Sequence, residues 1–116
     1  MNRLDAEKRG RRGEAIAAWF LRLQGWRIVG ERIKTPRGEV DLIARRGKTV
    51  AFVEVKARSK RVDLATAIDA YRLRRVAAAA EILLPKYGKG TENMQIDVIL
   101  VAPWRWPHHL PNVWHG

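Results

Sequence analysis

The sequence contains no cysteine. That excludes disulfide bridges, thiolate zinc sites and a thiol nucleophile, leaving any chemistry to oxygen and nitrogen groups. It also lacks an apolar run near the roughly 20 residues of a membrane-spanning helix, and its start, Met-Asn-Arg-Leu-Asp, has no signal-peptide hydrophobic region. A cytoplasmic chain without a membrane partner is expected. No repeat or low-complexity linker divides it, and 116 residues suffice for one domain, 1–116, around one core. Acid is scarce: 12 Asp and Glu stand against 23 Lys and Arg, a formal net charge of +11. Such an excess on a short chain points to a polyanionic partner, nucleic acid ahead of an acidic membrane surface.

The most patterned stretch runs from Gly38 to Arg58. Two runs rich in Val, Ile, Leu and Phe flank Arg46-Gly47-Lys48-Thr49, and Gly at the first central position suits a two-residue hairpin turn of the primed kind. With Gly47 and Lys48 as the loop, Arg46 faces Thr49. Counting outward then sets Asp41 opposite Glu54 and Glu39 opposite Lys56, all on one face. Directly opposed residues have Cβ atoms roughly 4.5–5.5 Å apart, so two carboxylates there repel unless they share a cation. Val40, Leu42, Ala44, Ala51, Val53 and Val55 alternate with the charged set and are expected to face the core together. Ile43 and Phe52 pair on the charged face nearer the turn, so that face needs a cover too. Cross-strand ion pairs on a solvated face would account for any one of Asp41, Glu54 and Lys56; an Asp followed by Glu-x-Lys accounts for them together, as a site.

In chain order, Asp5 reads as the N-cap of a first helix ending near Gln24, with Gly25 in the C-terminal left-handed position. Ile16, Trp19, Phe20 and Leu23 recur at helical spacing and are its expected core stripe, while Lys8, Arg9, Arg11 and Arg12 make its first half basic. Gly10 and Gly13 each cost about 1 kcal/mol relative to Ala inside a helix, or else permit a close approach. Glu14 either projects inward or is solvated. Trp26 to Ile33 is a first strand, ended by a turn at Pro36 and Gly38. A second helix is expected from Asp63 to Leu84, stopped by Pro85, with a core stripe of Leu64, Ile68, Tyr71, Val76, Ala79, Ala80 and Leu83. Arg72, Arg74 and Arg75 lie on its other faces, open to solvation or to phosphate contact.

Met94 to Ala102 is nearly all apolar and reads as a buried central strand. The right-handed crossover rule makes it parallel to the strand before the second helix. The tail, 103–116, holds three of the five Trp, all three His and three Pro. It is expected to be largely irregular, its aromatics serving packing or self-association, with base stacking the lesser alternative.

Gly10-Arg-Arg-Gly13-Glu14, Gly38-Glu-Val-Asp-Leu-Ile43, Phe52-Val-Glu-Val-Lys-Ala-Arg58, Arg74-Arg75-Val76-Ala-Ala and Ile96-Asp-Val-Ile99 resemble the small bacterial YraN family, described as endonuclease-like, over nearly the whole chain. The resemblance implies a restriction-endonuclease-like α/β fold in three layers, α/β/α. Its order is helix, three strands, helix, strand around a mixed central sheet, as in PD-(D/E)xK nucleases and close to Holliday-junction resolvases. It implies that Asp41 and Glu54 bind Mg²⁺, that Lys56 assists the attacking water, and that Glu14 joins them from the first helix. Three positions depart from the family pattern: Arg72 where Lys is common, Gln95 where Arg often precedes the last strand, and Arg32 where Asn is frequent.

On this resemblance the chain is expected to be a Mg²⁺- or Mn²⁺-dependent endonuclease acting on DNA, branched or junction DNA included, with a homodimer as one arrangement. Asp41, Glu54 and the main-chain carbonyl of Val55 would suffice as metal ligands, because Mg²⁺ keeps several waters in its octahedral shell. Lys56 is placed to orient a water and to stabilise developing charge. Arg37, Arg58, Lys60 and Arg61 lie at the same end of the hairpin as expected phosphate contacts, joined by Arg72 and Arg75. The competing reading is a non-catalytic nucleic-acid-binding module with the same fold; a third is a protein-partner module that uses the Trp-rich tail.

Overall fold

In the hairpin the turn sets the register. Gly47 takes φ +58°, a region glycine enters without penalty, and the strands then pair from Arg46–Thr49 to Leu42–Val53, as counted from the sequence. The computed structural model describes residues 3–58 and 69–116, with side chains from residue 8 onward, residue 9 excepted. Lys60, Arg61, Leu64, Ile68 and the expected start of the second helix at Asp63 lie outside the described residues.

Helix α1 (Arg3–Leu23) precedes a meander of β1 (Arg27–Thr35), β2 (Gly38–Arg46) and β3 (Thr49–Ala57); α2 (Ala70–Tyr87), β4 (Asn93–Val101) and β5 (His108–Leu110) follow. The sheet order is β1-β2-β3-β4-β5. Only β3 and β4 are parallel among its pairs, as a crossover through α2 requires. On one face α1 buries Ala17, Ala18 and Leu21 against Leu42, Ala44, Ala51, Val53, Ile99 and Val101. On the other, α2 buries Leu73, Val76, Ala79 and Ala80 against Val40, Ile43, Val50, Phe52, Ile96 and Val98. The result is the expected three-layer α/β/α arrangement with a mixed sheet.

Several expectations change. The stripe of Ile16, Trp19, Phe20 and Leu23 is not the core of α1: Ile16, Trp19 and Leu23 are 41, 47 and 61% exposed. The cause lies at Gly13, where a Cβ would sit 2.7 Å from the Cβ of Ala57. The helix settles on β3 through its small residues, and a bulkier stripe would hold it off the sheet. The helix is also continuous through Gly10 and Gly13, and Asp5 lies inside it rather than at its cap.

In α2, Asp69 is the N-cap and accepts the N–H groups of Tyr71 and Arg72. The helix runs past Pro85 to Tyr87, because a proline in the last turn forfeits one hydrogen bond while Gly88 N–H still closes on the Leu84 carbonyl. Tyr71, expected in the core stripe, is exposed, and Leu73, not expected there, is buried instead. Val40 packs under α2 rather than with Leu42 and Ala44. The change of face accompanies Arg32, which has φ +51° where the pairing passes from Glu31–Leu42 to Ile33–Val40. Within the tail, His108–Leu110 add an edge strand to β4; these residues lie between Pro107 and Pro111 and keep their N–H groups. No described helix is long and apolar enough to cross a membrane.

Candidate nuclease site

The paired register of β2 and β3 ends at Leu42–Val53. Beyond it Asp41 turns its carboxylate toward the next strand, where Oδ2 accepts the N–H of Val55 at 2.8 Å. Glu54 precedes that donor and is 2% exposed. Its Oε1 accepts from Arg72 Nη2 at 2.8 Å and Nε at 3.2 Å, while its Oε2 is buried without a hydrogen-bond partner among the described residues. Lys56 is buried too, and strand alternation sets it on the side of Glu54. From α1, Glu14 accepts from Arg32 Nε at 2.7 Å.

Like charge is concentrated here in a poorly solvated place. The Asp41 carboxyl is pushed up to about 7, first by burial, next by the neighbouring Glu54 and further by Glu14, against the opposing Val55 N–H and the Arg72 guanidinium. Asp41, Glu54 and Lys56 are thus brought to one end of the sheet, and Glu14 lies within electrostatic reach of Asp41. Among the described residues no three acidic or histidine side chains are grouped to hold a metal ion unaided. Two carboxylates remain, one with an oxygen unpartnered among the described residues and one raised by burial and then by its neighbours. A divalent cation would answer both, with main-chain oxygen and water filling the shell of a hard ion. The residues fit such an ion.

Arg37, in the β1–β2 turn, joins Tyr71, Arg74, Arg75 and Ala78 of α2 around an open groove of about 300 Å³. The glycine after Arg37 makes this possible: a Cβ on Gly38 would collide with the Arg75 carbonyl. Arg58 is exposed just past β3, its N–H bonded to the Val101 carbonyl at 3.0 Å. Arg72 differs from the other arginines because its guanidinium is engaged by Glu54.

Sequence reasoning passed over Asp97. It is fully buried and holds His109 Nε2 at 2.7 Å, Gln95 Nε2 at 3.0 Å and the N–H of Asn112 at 2.9 Å, tying the tail to β4. Its signal was a carboxylate inside an otherwise apolar strand, which needs partners when buried. Arg72, Arg32 and Gln95 share one property. Arg72 holds Glu54, Arg32 holds Glu14 and Gln95 holds Asp97.

A family model described as "Uncharacterised protein family UPF0102" matches residues 13–101. The chain is 73% identical over 114 residues to a UPF0102 protein of Rhizorhabdus wittichii, covering 98% of this chain and 97% of the relative. It is 61% identical to one of Sphingopyxis alaskensis, covering 98% of each. Among solved structures it resembles Archaeoglobus fulgidus Hjc, a Holliday junction resolvase from an archaeal hyperthermophile. The TM-score is 0.60 and the identity 21%, over 86% of this chain and 73% of that one. The likeness establishes the fold, a mixed α/β fold shared with that protein.

Proposed function

This chain belongs to the UPF0102 family, and we propose that it works there as a metal-dependent nuclease hydrolysing phosphodiester bonds in DNA. The observation that carries the reading is the buried Oε2 of Glu54, unpartnered among the described residues, beside an Asp41 carboxyl pushed up to about 7. Mg²⁺ or Mn²⁺ held by Asp41, Glu54 and the Val55 carbonyl would supply positive charge against phosphate oxygens and acidify water.

The chain's own residues supply the remainder. Lys56, almost enclosed, offers ammonium donors that orient a water and meet charge developing on phosphate, and such donors are worth most where solvent is excluded. Arg72 offsets the Glu54 charge and keeps its side chain 42% exposed, so it can also donate to an arriving phosphate. The Glu14–Arg32 pair links α1 to β1, and Glu14 would join the carboxylates from the helix. Arg37, Arg74 and Arg75 offer the forked donors suited to phosphates along a backbone, with Arg58 adding charge at the sheet end. The printed name of the resolvase it resembles supports DNA, junction DNA included, and a second copy would provide a second site for a paired cut. The cytoplasm is the proposed place of action.

A second reading, a non-catalytic nucleic-acid-binding module, is favoured by one fact. Asp41, Glu54 and Glu14 each have a protein partner. Duplex, single-stranded, flap and four-way-junction DNA incubated with Mg²⁺ or Mn²⁺ separate the two. Cleavage by the wild type, reduced about 100-fold or more in Lys56→Ala, is expected; binding without cleavage would establish the second reading instead.

A further inference from the structure

The stripe that α1 leaves outside its core is not isolated. Trp106 stacks on Trp19 with ring centroids 5.9 Å apart and planes 7° from parallel, and it leans on Phe20 at 6.4 Å. It remains 72% exposed, and Trp104 is exposed completely. Trp104 also has φ +62°, a conformation that a bulky residue enters at a cost. Arg105, which separates the two tryptophans in sequence, is exposed, and Lys8, Arg11, Arg12 and Arg22 are exposed on α1.

We propose that this Trp-Arg-Trp platform binds single-stranded nucleic acid, with bases stacking on Trp104 and Trp106 and phosphates meeting Arg105 and the basic residues of α1. Free aromatic faces interleaved with cations are the arrangement that holds unpaired bases and their backbone at once. Charge decides against the other occupants. A second copy would bring Arg105 and the basic face of α1 against themselves in a chain of net charge +11, and interface centres between proteins are depleted of charge.

The platform's position deepens the nuclease reading, on which this step rests. β4 ends at Val101 beside Ala57, so the chain leading to Trp104 leaves the sheet at the end that carries Glu54 and Lys56. Trp19 lies five residues beyond Glu14 on α1, a rise of about 7.5 Å. The groove of Arg37, Arg74 and Arg75 is on the α2 side, where Arg72 holds Glu54, and the platform is on the α1 side, which carries Glu14. The substrate class that fits is nucleic acid in which a duplex meets a single strand.

The test uses a labelled oligothymidylate of about 16 nucleotides and a duplex of the same length, read by anisotropy and by indole quenching. Trp104→Ala is expected to weaken oligothymidylate binding tenfold or more, and Trp104→Phe to restore most of it, with duplex affinity unchanged. Trp104 touches no core, so the fold survives its removal. Unchanged oligothymidylate affinity in Trp104→Ala overturns the proposal, as does an equal loss on duplex. So does a wild-type dimer in sedimentation that Trp104→Ala abolishes, or binding to anionic phospholipid vesicles that the oligonucleotide does not displace. Failure of the nuclease reading is visible separately, as absence of metal-dependent cleavage on every substrate while Trp104-dependent binding persists.

Discussion

The Asp41 carboxylate accepts the main-chain N–H of Val55 at 2.8 Å, a donor on the strand that carries Glu54. The bond holds two carboxylates near each other that would otherwise separate, the arrangement on which the proposed cation site rests. The interaction of Asp41 with Glu54 is unfavourable while that with the N–H is favourable, and each can be tested alone.

Asp41→Asn keeps an oxygen acceptor for Val55 N–H and deletes one charge. In chelator at pH 8 it is expected to be more stable than wild type, by about 1–4 kcal/mol, because the carboxyl is raised from 3.8 to about 7 and one pKa unit corresponds to about 1.4 kcal/mol. With Mn²⁺ the ranking should reverse, since a ligand bound only by the folded state stabilises by mass action. Thermal melts of both proteins in chelator and in excess Mn²⁺ provide the check. A strongly destabilised variant beside a metal-indifferent wild type would make Asp41 a structural residue.

The same carboxyl predicts a pH dependence. Its folded value of about 7 lies above the 3.8 of a free carboxyl, so the folded state binds the proton more tightly. Its stabilising contribution is complete below about pH 4 and is lost as pH rises to about 7. Urea midpoints in chelator should therefore show wild type losing ground to Asp41→Asn across that window and no further above it. A constant difference from pH 4 to 8 would refute the assignment.

Arg72→Ala removes the only hydrogen-bond donor recorded for Glu54 among the described residues. Breaking a buried pair costs about 3–5 kcal/mol, but the Arg72 side chain is 42% exposed and screened, so about 2 kcal/mol is expected in chelator. Divalent cation should recover part of it by replacing the lost charge. Chemical denaturation with and without Mn²⁺ measures both, and a variant as stable as wild type in chelator would show that the pair contributes nothing.

Two glycines in one helix should respond with opposite sign. Gly10→Ala meets nothing within 4 Å and gains helix propensity, up to about 1 kcal/mol. Gly13→Ala gains the same propensity but places its Cβ 2.7 Å from that of Ala57, so a net loss of about 1–2 kcal/mol is expected as α1 is pushed from β3. Equal shifts in melting temperature for the two variants would refute the close approach.

The sequence by itself determined what depends on neighbours along the chain. The Gly47 turn and the two-residue strand period set the hairpin register from Arg46–Thr49 to Leu42–Val53, while the pairing expected beyond it, Asp41 with Glu54 and Glu39 with Lys56, is not part of the ladder and Asp41 instead accepts the Val55 N–H. The apolar run of β4 marked it as an inner strand, and the motif set implied the fold that the resemblance to Hjc establishes. Tertiary structure decided what depends on distance and bulk. Helix α1 carries two stripes of one period, and periodicity cannot say which faces inward. The small-residue stripe does, because only it lets the helix approach β3, and the larger one is left as an aromatic surface. Contacts between residues 18 apart, Arg72 with Glu54 and Arg32 with Glu14, carry no local signature, since any arginine can pair with any carboxylate until packing brings them together.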